Sequence, residues 1–466
     1  MRKLFSKGII VMSALTVMGL ASCTNENDPM GGNGQAAEPG EPTRVTLSLD
    51  LNSAPLTRGI VDNNATKEET TITHLNVFIY DKNGVLENAQ KILMADLTEV
   101  KDKENVYTTK ELKATTGAKT VYVGLNMTDD MVAKLKATAA QNLKSTAVKV
   151  ALNDLTNKTD GFVMFSTQGK NATFVAVNAD GILPDANKVA IQVERLASKI
   201  AVGCEEEIDN IKQGAAGKIQ NLRFVVDNIN TQNYFPYAED TPMDPNMNKD
   251  AYKEADFVLV TDFAAVDVNW NDITSKTTDR KTWKSAYSAE NVTTDKEMKG
   301  ITRVVVQGEF IPATLIEKKV EGENQKVTWE NKDNSKETTA TTFIQLEFAE
   351  AGGYAFFAGG TTDDVLKEYM AYKKGAAVDE TALTAAKKVY KDGKNYWWIT
   401  TKEGRGDIVR NNFYQVNITS IWAPGRTDGK FDPNEDDEKV DEETNIEFTV
   451  TVAPWNLMKQ DAELRP

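Results

Sequence analysis

Histidine and cysteine are almost missing from this 466-residue chain: His74 is its single histidine, and Cys23 and Cys204 are its only cysteines. That scarcity excludes a zinc centre and a Cys-His nucleophile pair. It also excludes a disulfide framework, so stability has to come from burial. No Gly-x-Ser-x-Gly elbow, P-loop or dinucleotide fingerprint is present. Positive charge is in short supply, with 54 Lys and Arg against 69 Asp and Glu for a net charge of −15. Such a surface repels nucleic acid and gains nothing from anionic lipid. The apolar stretch Gly8 to Leu20 is shorter than the roughly 20 residues a membrane-spanning helix needs.

What that stretch does offer is an address. It follows the basic segment Met1 to Lys7 and ends in Leu20-Ala21-Ser22-Cys23, the small-residue-then-Cys ending of a bacterial lipoprotein signal. Residues 1–22 are therefore expected to be removed, leaving Cys23 lipidated and the acyl chain as the only anchor. Removing Arg2, Lys3 and Lys7 takes the charge from −15 to −18. Thr24 to Pro42, rich in Asn, Gly, Glu and Pro, reads as a flexible spacer. Within Thr43–Leu51, Val45, Leu47, Leu49 and Leu51 alternate at period two, the mark of a strand with one buried face. A short linker then leads to Arg58-Gly59, a basic site open to a trypsin-like protease. A tether, one strand and a scissile Arg in this order describe a protein built to lose its first strand, with residues 23–58 as propeptide.

The remainder reads as all-β, with a chain length sufficient for two or three domains. Strand patterns fall at Leu75–Tyr80, Val121–Leu125, Val193–Val202, Ile219–Val226, Thr302–Val306, Thr342–Phe348 and Phe413–Ile421. Met131, Leu135 and Ala139 are spaced for an amphipathic helix. A domain division is expected after residue 188, giving units 59–188 and 189–466. Asp244–Lys299 and Lys318–Thr341 are polar and irregular and read as long surface insertions. The clearest strand comes near the end, where Ile446, Phe448, Val450 and Val452 share a face and Trp455 follows Pro454. A terminal strand with a bulky apolar face needs a groove, in its own domain or in another molecule.

Candidate chemistry is sparse. His74 opens a strand and reads as structural. Asp363-Asp364 and Asp436-Asp437 sit in acidic turns, and the oxygen-rich run Asp428 to Asp436 lacks EF-hand spacing. Arg405-Gly406-Asp407 matches an integrin-type tripeptide but is short enough to be a simple turn. Tyr396-Trp397-Trp398 can form a sugar-stacking platform or, with alternating faces, place one ring in a core and one at a rim; the second reading is preferred. No catalytic residue, metal site or cofactor is expected.

Five segments together resemble the fimbrillins of Bacteroidales type V pili, nearest the minor-fimbria stalk subunits. They are Leu20-Ala21-Ser22-Cys23, the strand before Arg58, Val193-Glu194-Arg195-Leu196-Ala197-Ser198-Lys199, Val409 to Val416, and Val450-Thr451-Val452-Ala453-Pro454-Trp455. The acidic Glu26 and Asp28 after Cys23 resemble the surface-export signal of lipoproteins from the same order, and a solvated linker explains them equally well. The resemblance implies two transthyretin-like β-sandwich domains with short helices in connecting loops. It also implies a lipidated precursor at the outer membrane, cleaved after Arg58 by an Arg-specific protease. Polymerisation by donor-strand exchange would follow, with residues 445–464 as donor and Ile446, Phe448, Val450, Val452 and Trp455 as its anchors. The implied partners are identical subunits in a head-to-tail fibre, together with anchor and tip subunits, and the implied roles are adhesion and biofilm formation. The alternative is a non-polymerising surface adhesin, a tip or anchor subunit binding host protein or glycan.

Overall fold

The computed structural model describes residues 40–50, 66–101, 103, 106–166, 168–211, 216–236, 243–246, 252–292, 298–348, 353–400, 407–430 and 446–454. Strands dominate and form two successive β-sandwiches. In the first, one sheet carries β1 (Pro42–Asp50) and its opposite carries β2 (His74–Asp81) and β3 (Leu86–Leu93). The chain continues through β4 (Thr98–Glu99), β5 (Val106–Thr108), β6 (Leu112–Thr115), β7 (Gly117–Leu125), β8 (Val148–Lys149), β9 (Met164–Phe165), β10 (Lys170–Phe174), β11 (Lys188–Gln192) and β12 (Glu194–Arg195). Strand order is β11-β1-β5-β4 in the first sheet, with β6 also on β1, and β12-β9-β7-β2-β3 in the second, with β10 on β7. The ladders of this sandwich run through Arg195.

Strand β2 is buried almost end to end because both of its faces are covered. Leu75, Val77 and Ile79 meet Val45, Leu47 and Leu49 of β1 in one core. Phe78 and Tyr80 on the other side join Met131 and Leu135. Those two residues lie on helix α2 (Asp129–Lys136), capped by Thr128 with Asp129 and Asp130 in its first turn and Lys134 and Lys136 in its last, charges that complement the helix dipole. The helix stops before Ala139, one residue of the expected stripe. A two-faced strand reads as a near-continuous apolar run in sequence.

The second sandwich contains β13 (Ala197–Gly203), β14 (Gly217–Asp227), β15 (Gln232–Asn233), β16 (Asn271–Asp272), β17 (Lys284–Ala289) and β18 (Arg303–Pro312). Then come β19 (Thr314–Glu321), β20 (Lys326–Asp333), β21 (Phe343–Phe348), β22 (Gly353–Ala358), β23 (Lys387–Tyr390), β24 (Lys394–Thr400), β25 (Asn412–Ile421) and β26 (Ile446–Pro454). Its sheets are β17-β13-β25-β26 and β16-β14-β18-β24. The segment expected as an irregular insertion over 244–299 therefore supplies a sheet strand, β17. The one over 318–341 is largely the hairpin β19–β20, whose ladder carries the ion pairs Lys319–Glu330 and Lys332–Glu317. Both escape sequence pattern because the hairpin is mostly exposed and lacks a continuous apolar face, and β17 reads Lys-Ser-Ala-Tyr-Ser-Ala.

The two sandwiches share a core. Phe78, Tyr122 and Phe165 of the first cluster with Leu196, Ala201, Phe235, Trp283 and Phe413 of the second, and β8 pairs with β15 across the join. Trp283 lies over Gly203, where an added Cβ would sit 2.2 Å from the indole. Gly203→Ala should therefore displace that ring and cost about 1–3 kcal/mol, seen as a lower urea midpoint with an unchanged slope.

Candidate functional site

Strand β1 occupies an interior position. It pairs in parallel with β11 (Leu47 opposite Val189, Leu49 opposite Ile191) and antiparallel with β5 and β6 (Leu49 opposite Tyr107, Val45 opposite Leu112). Val45, Leu47 and Leu49 are at most 1% exposed. Burying three such side chains is worth about 5–9 kcal/mol before ordering costs. Buried polar groups fix the strand along its length. The Leu47 amide donates to Thr109 Oγ1 at 3.0 Å, and the Thr109 amide donates to the Leu47 carbonyl. At the N-terminal end, the fully buried Asn187 amide group donates to Thr43 Oγ1 (3.1 Å), the Arg44 carbonyl (2.9 Å) and the Val175 carbonyl (2.9 Å). The Thr43 hydroxyl in turn donates to the Val175 carbonyl at 2.7 Å. Leu51, Arg58, Gly59 and Cys23 lie outside the described residues.

Beyond the linker, helix α1 (Lys67–Thr70) is held by a full capping box between Thr66 and Glu69. Glu69 is fully buried, and its carboxylate takes Lys199 of β13 at 2.9 Å and the Tyr287 hydroxyl of β17 at 2.6 Å. The buried Arg195 guanidinium donates to the Glu69 carbonyl at 2.9 Å. Burial pulls Arg195 down to about 9. Residues 66–70 thus clamp the chain after the Arg58 linker onto the second sandwich. Arg195 and Lys199, which look like interruptions of a strand in sequence, are the other half of this clamp.

A second buried network surrounds the turn entering β25. Arg410 pairs with Glu290 (Nε to Oε2, 2.8 Å) and donates to the Phe235 carbonyl at 2.7 Å. Asn411 takes the left-handed conformation at φ 56°, which Asn tolerates better than most residues. Nearby, Asp244 accepts from the amides of Asn246 and Val292, and burial pushes its carboxyl up to about 7. From this turn β25 runs as an interior strand, parallel to β13 and antiparallel to β26.

Among the described residues, strand β26 lies at the sheet edge on a single ladder, from Asn412 opposite Pro454 to Ile421 opposite Ile446. Ile446 is buried in the second core. The backbones of Phe448, Val450 and Val452 pair with Ile418, Val416 and Tyr414; Trp455 lies outside the described residues.

Other sequence candidates resolve as structure. Trp397 and Trp398 are both buried, donating to the Ala423 and Gly429 carbonyls; neither stacks at a surface, and Trp398 is not a rim residue. His74 Nε2 lies 3.1 Å from the Met127 carbonyl. Cys204 is buried and free, with its thiol pushed up to about 12. Arg405, Gly406 and most of the run 428–436 lie outside the described residues. Among those described, no cluster of His, Cys, Asp or Glu could hold a metal ion.

The model of the major fimbrial subunit protein FimA matches residues 43–195, the whole first sandwich. The C-terminal model of the type IV major fimbrial subunit, fimbrillin, matches residues 388–461, which hold β24, β25 and β26. Both models are of fimbrillins, and these two stretches match that family. A putative cell adhesion protein from Parabacteroides distasonis is 13% identical, covering 89% of this chain and 100% of that one at a TM-score of 0.48. One from Bacteroides eggerthii is 14% identical over 90% and 98%, with a TM-score of 0.46. The tip fimbrial protein Mfa3 from Porphyromonas gingivalis is 12% identical over 88% and 100%, with a TM-score of 0.36. No curated protein matches the sequence. These matches support a fimbrial structural role at the cell surface, with other fimbrial subunits as partners.

Glu69→Ala should leave Lys199 buried without its carboxylate and cost about 3–5 kcal/mol in chemical denaturation. Asp244 gives a pH signature. Its folded pKa lies above the unfolded value, so the folded state holds the extra proton, and stability should fall as pH rises from about 4 to about 7. Asp244→Asn should flatten that slope in melting profiles across the same range.

Proposed function

We propose that this protein is a fimbrillin stalk subunit, exported as a lipoprotein through Cys23, released by cleavage after Arg58 and polymerised by donor-strand exchange with β26 of a neighbouring copy. The lipidated precursor sits at the outer membrane and the mature subunit in the fimbrium, where the fibre serves adhesion. The observation that carries this reading is the contrast between two strands. β1 has ladders on both edges and a fully buried apolar face, yet the segment after it carries Arg58, a basic residue that a protease could cut. Among the described residues, β26 has one ladder at a sheet edge.

Cleavage and departure of β1 would open two sheet edges and the apolar floor formed by Leu75, Val77, Val121 and Val123. Unpaired edges and apolar surface are both costly in water. A strand that exchanges one ladder for two while burying a comparable face gains on balance. The clamp at Glu69 would keep the chain beyond the cut in place. Donor and groove lie on different sandwiches, so the contact is heterologous, the kind that builds a fibre when its rotation does not close into a ring.

Arg58→Ala should leave an uncleaved monomer that retains β1; fibres of normal length from that variant would sink the maturation step. The donor is tested by tying it down. A disulfide between Val416→Cys and Val450→Cys, opposite each other on the β25–β26 ladder, should stop polymerisation of the cleaved subunit under oxidising conditions and release it on reduction. Polymerisation of the oxidised protein would place the donor elsewhere.

A further inference from the structure

We infer that Asn187 sets the register of the strand in the first-sandwich groove by reading a threonine hydroxyl, and that Thr444 of an incoming second copy takes the place of Thr43. This rests on the donor-strand reading above and specifies its geometry.

The argument starts at the groove's N-terminal end. Asn187 is fully buried beside β1, and its amide group reaches three acceptors, two of which belong to that strand: Thr43 Oγ1 and the Arg44 carbonyl. Any strand supplies a backbone carbonyl. The hydroxyl is different, because it accepts from Asn187 while donating to the Val175 carbonyl. Thr43 is itself only 6% exposed. A strand lacking a hydroxyl there would lose both of those bonds, leaving the Asn187 amide only the Arg44 and Val175 carbonyls.

The groove therefore asks for threonine, then apolar residues two, four and six positions later. β1 answers with Thr43, Val45, Leu47 and Leu49. The C-terminal segment holds the same pattern in the same direction: Thr444, Ile446, Phe448 and Val450, with Val452 where β1 continues to Leu51. Thr444 lies outside the described residues, and its place here comes from the sequence pattern.

Slips of two residues keep the alternation and would pass a purely hydrophobic test. The polar post rejects both. Shifted one way, Ile446 sits against Asn187 and the Val175 carbonyl with no hydroxyl to offer. Shifted the other way, Glu442 enters the buried site and Thr444 falls into the apolar position of Val45.

In the inferred register Thr449 takes the place of Ser48, whose partner on β5 is Thr108. Full-length protein carrying Thr449→Cys with Val106→Cys, Thr108→Cys or Lys110→Cys, cleaved at Arg58 and oxidised, should give intersubunit disulfides with the Thr108 variant. Crosslinks confined to position 106 or 110 would overturn the register while leaving strand exchange intact. Fibres with no crosslink at any of the three would instead refute the donor-strand reading. Thr444→Val, which keeps the shape and removes the hydroxyl, should raise the critical concentration for fibre growth about tenfold. Thr444→Ser should restore it, and an unchanged value for Thr444→Val would show that Asn187 does not read the incoming strand.

Discussion

The constraint on which the rest of this structure depends is the interior placement of its first described strand. A strand at the end of a chain is ordinarily easy to dispense with, because termini tend to sit at edges. Here it is hydrogen-bonded on both sides and its apolar face fills the core of the first sandwich. That core is complete only while β1 or an equivalent strand is present. In the proposed exchange the first sandwich acts as a receptor for one kind of strand, with period-two apolar residues and a hydroxyl at its leading end.

A receptor of this sort is useful only if the body that carries it stays intact when the strand changes. Two features provide for that. The opposite sheet is covered on its far side by α2 and by the second sandwich, so β2 and β7 remain packed from one face whatever occupies the other. The Glu69–Lys199–Tyr287 cluster, with Arg195 on the Glu69 backbone, ties the segment after the linker to the second sandwich. Buried ion pairs add little net stability over apolar packing, but they tolerate few alternative geometries. The shared core across the join, together with the Arg410–Glu290 network, fixes one sandwich against the other, as a subunit that transmits load along a fibre requires.

The insertion between β18 and β24 stands apart from this machinery. Those two strands pair directly with each other, and the chain between them builds a smaller body from β19 to β23 and the helices α3 (Asp363–Lys374) and α4 (Glu380–Ala386) around Ile344, Leu346, Phe357, Leu366 and Met370. Almost all of it falls between the two family matches. It extends the second sandwich through the hydrogen-bonded pair β18–β24 without entering the groove.

Period-two alternation was enough to place β1, which buries one face against a single core, and it also marked β25 and β26. The dearth of histidine and cysteine fixed the absence of a Cys-His pair and of a disulfide framework. The polar insertions hid β17 and the β19–β20 hairpin, since a strand stabilised by its neighbours' backbone groups needs no apolar pattern of its own. Sequence could mark Arg195, Lys199 and Arg410 only as oddities in apolar surroundings; that they are buried and paired depends on Glu69 and Glu290, which lie 126 and 120 residues away from Arg195 and Arg410. The role of Asn187 was likewise invisible, because one asparagine between strands carries no pattern. What the sequence by itself determined was which residues alternate and which chemistries are impossible. Only the tertiary structure decided which strand is interior and which is an edge, because that depends on how many neighbours the backbone finds, and no local property of the chain counts them.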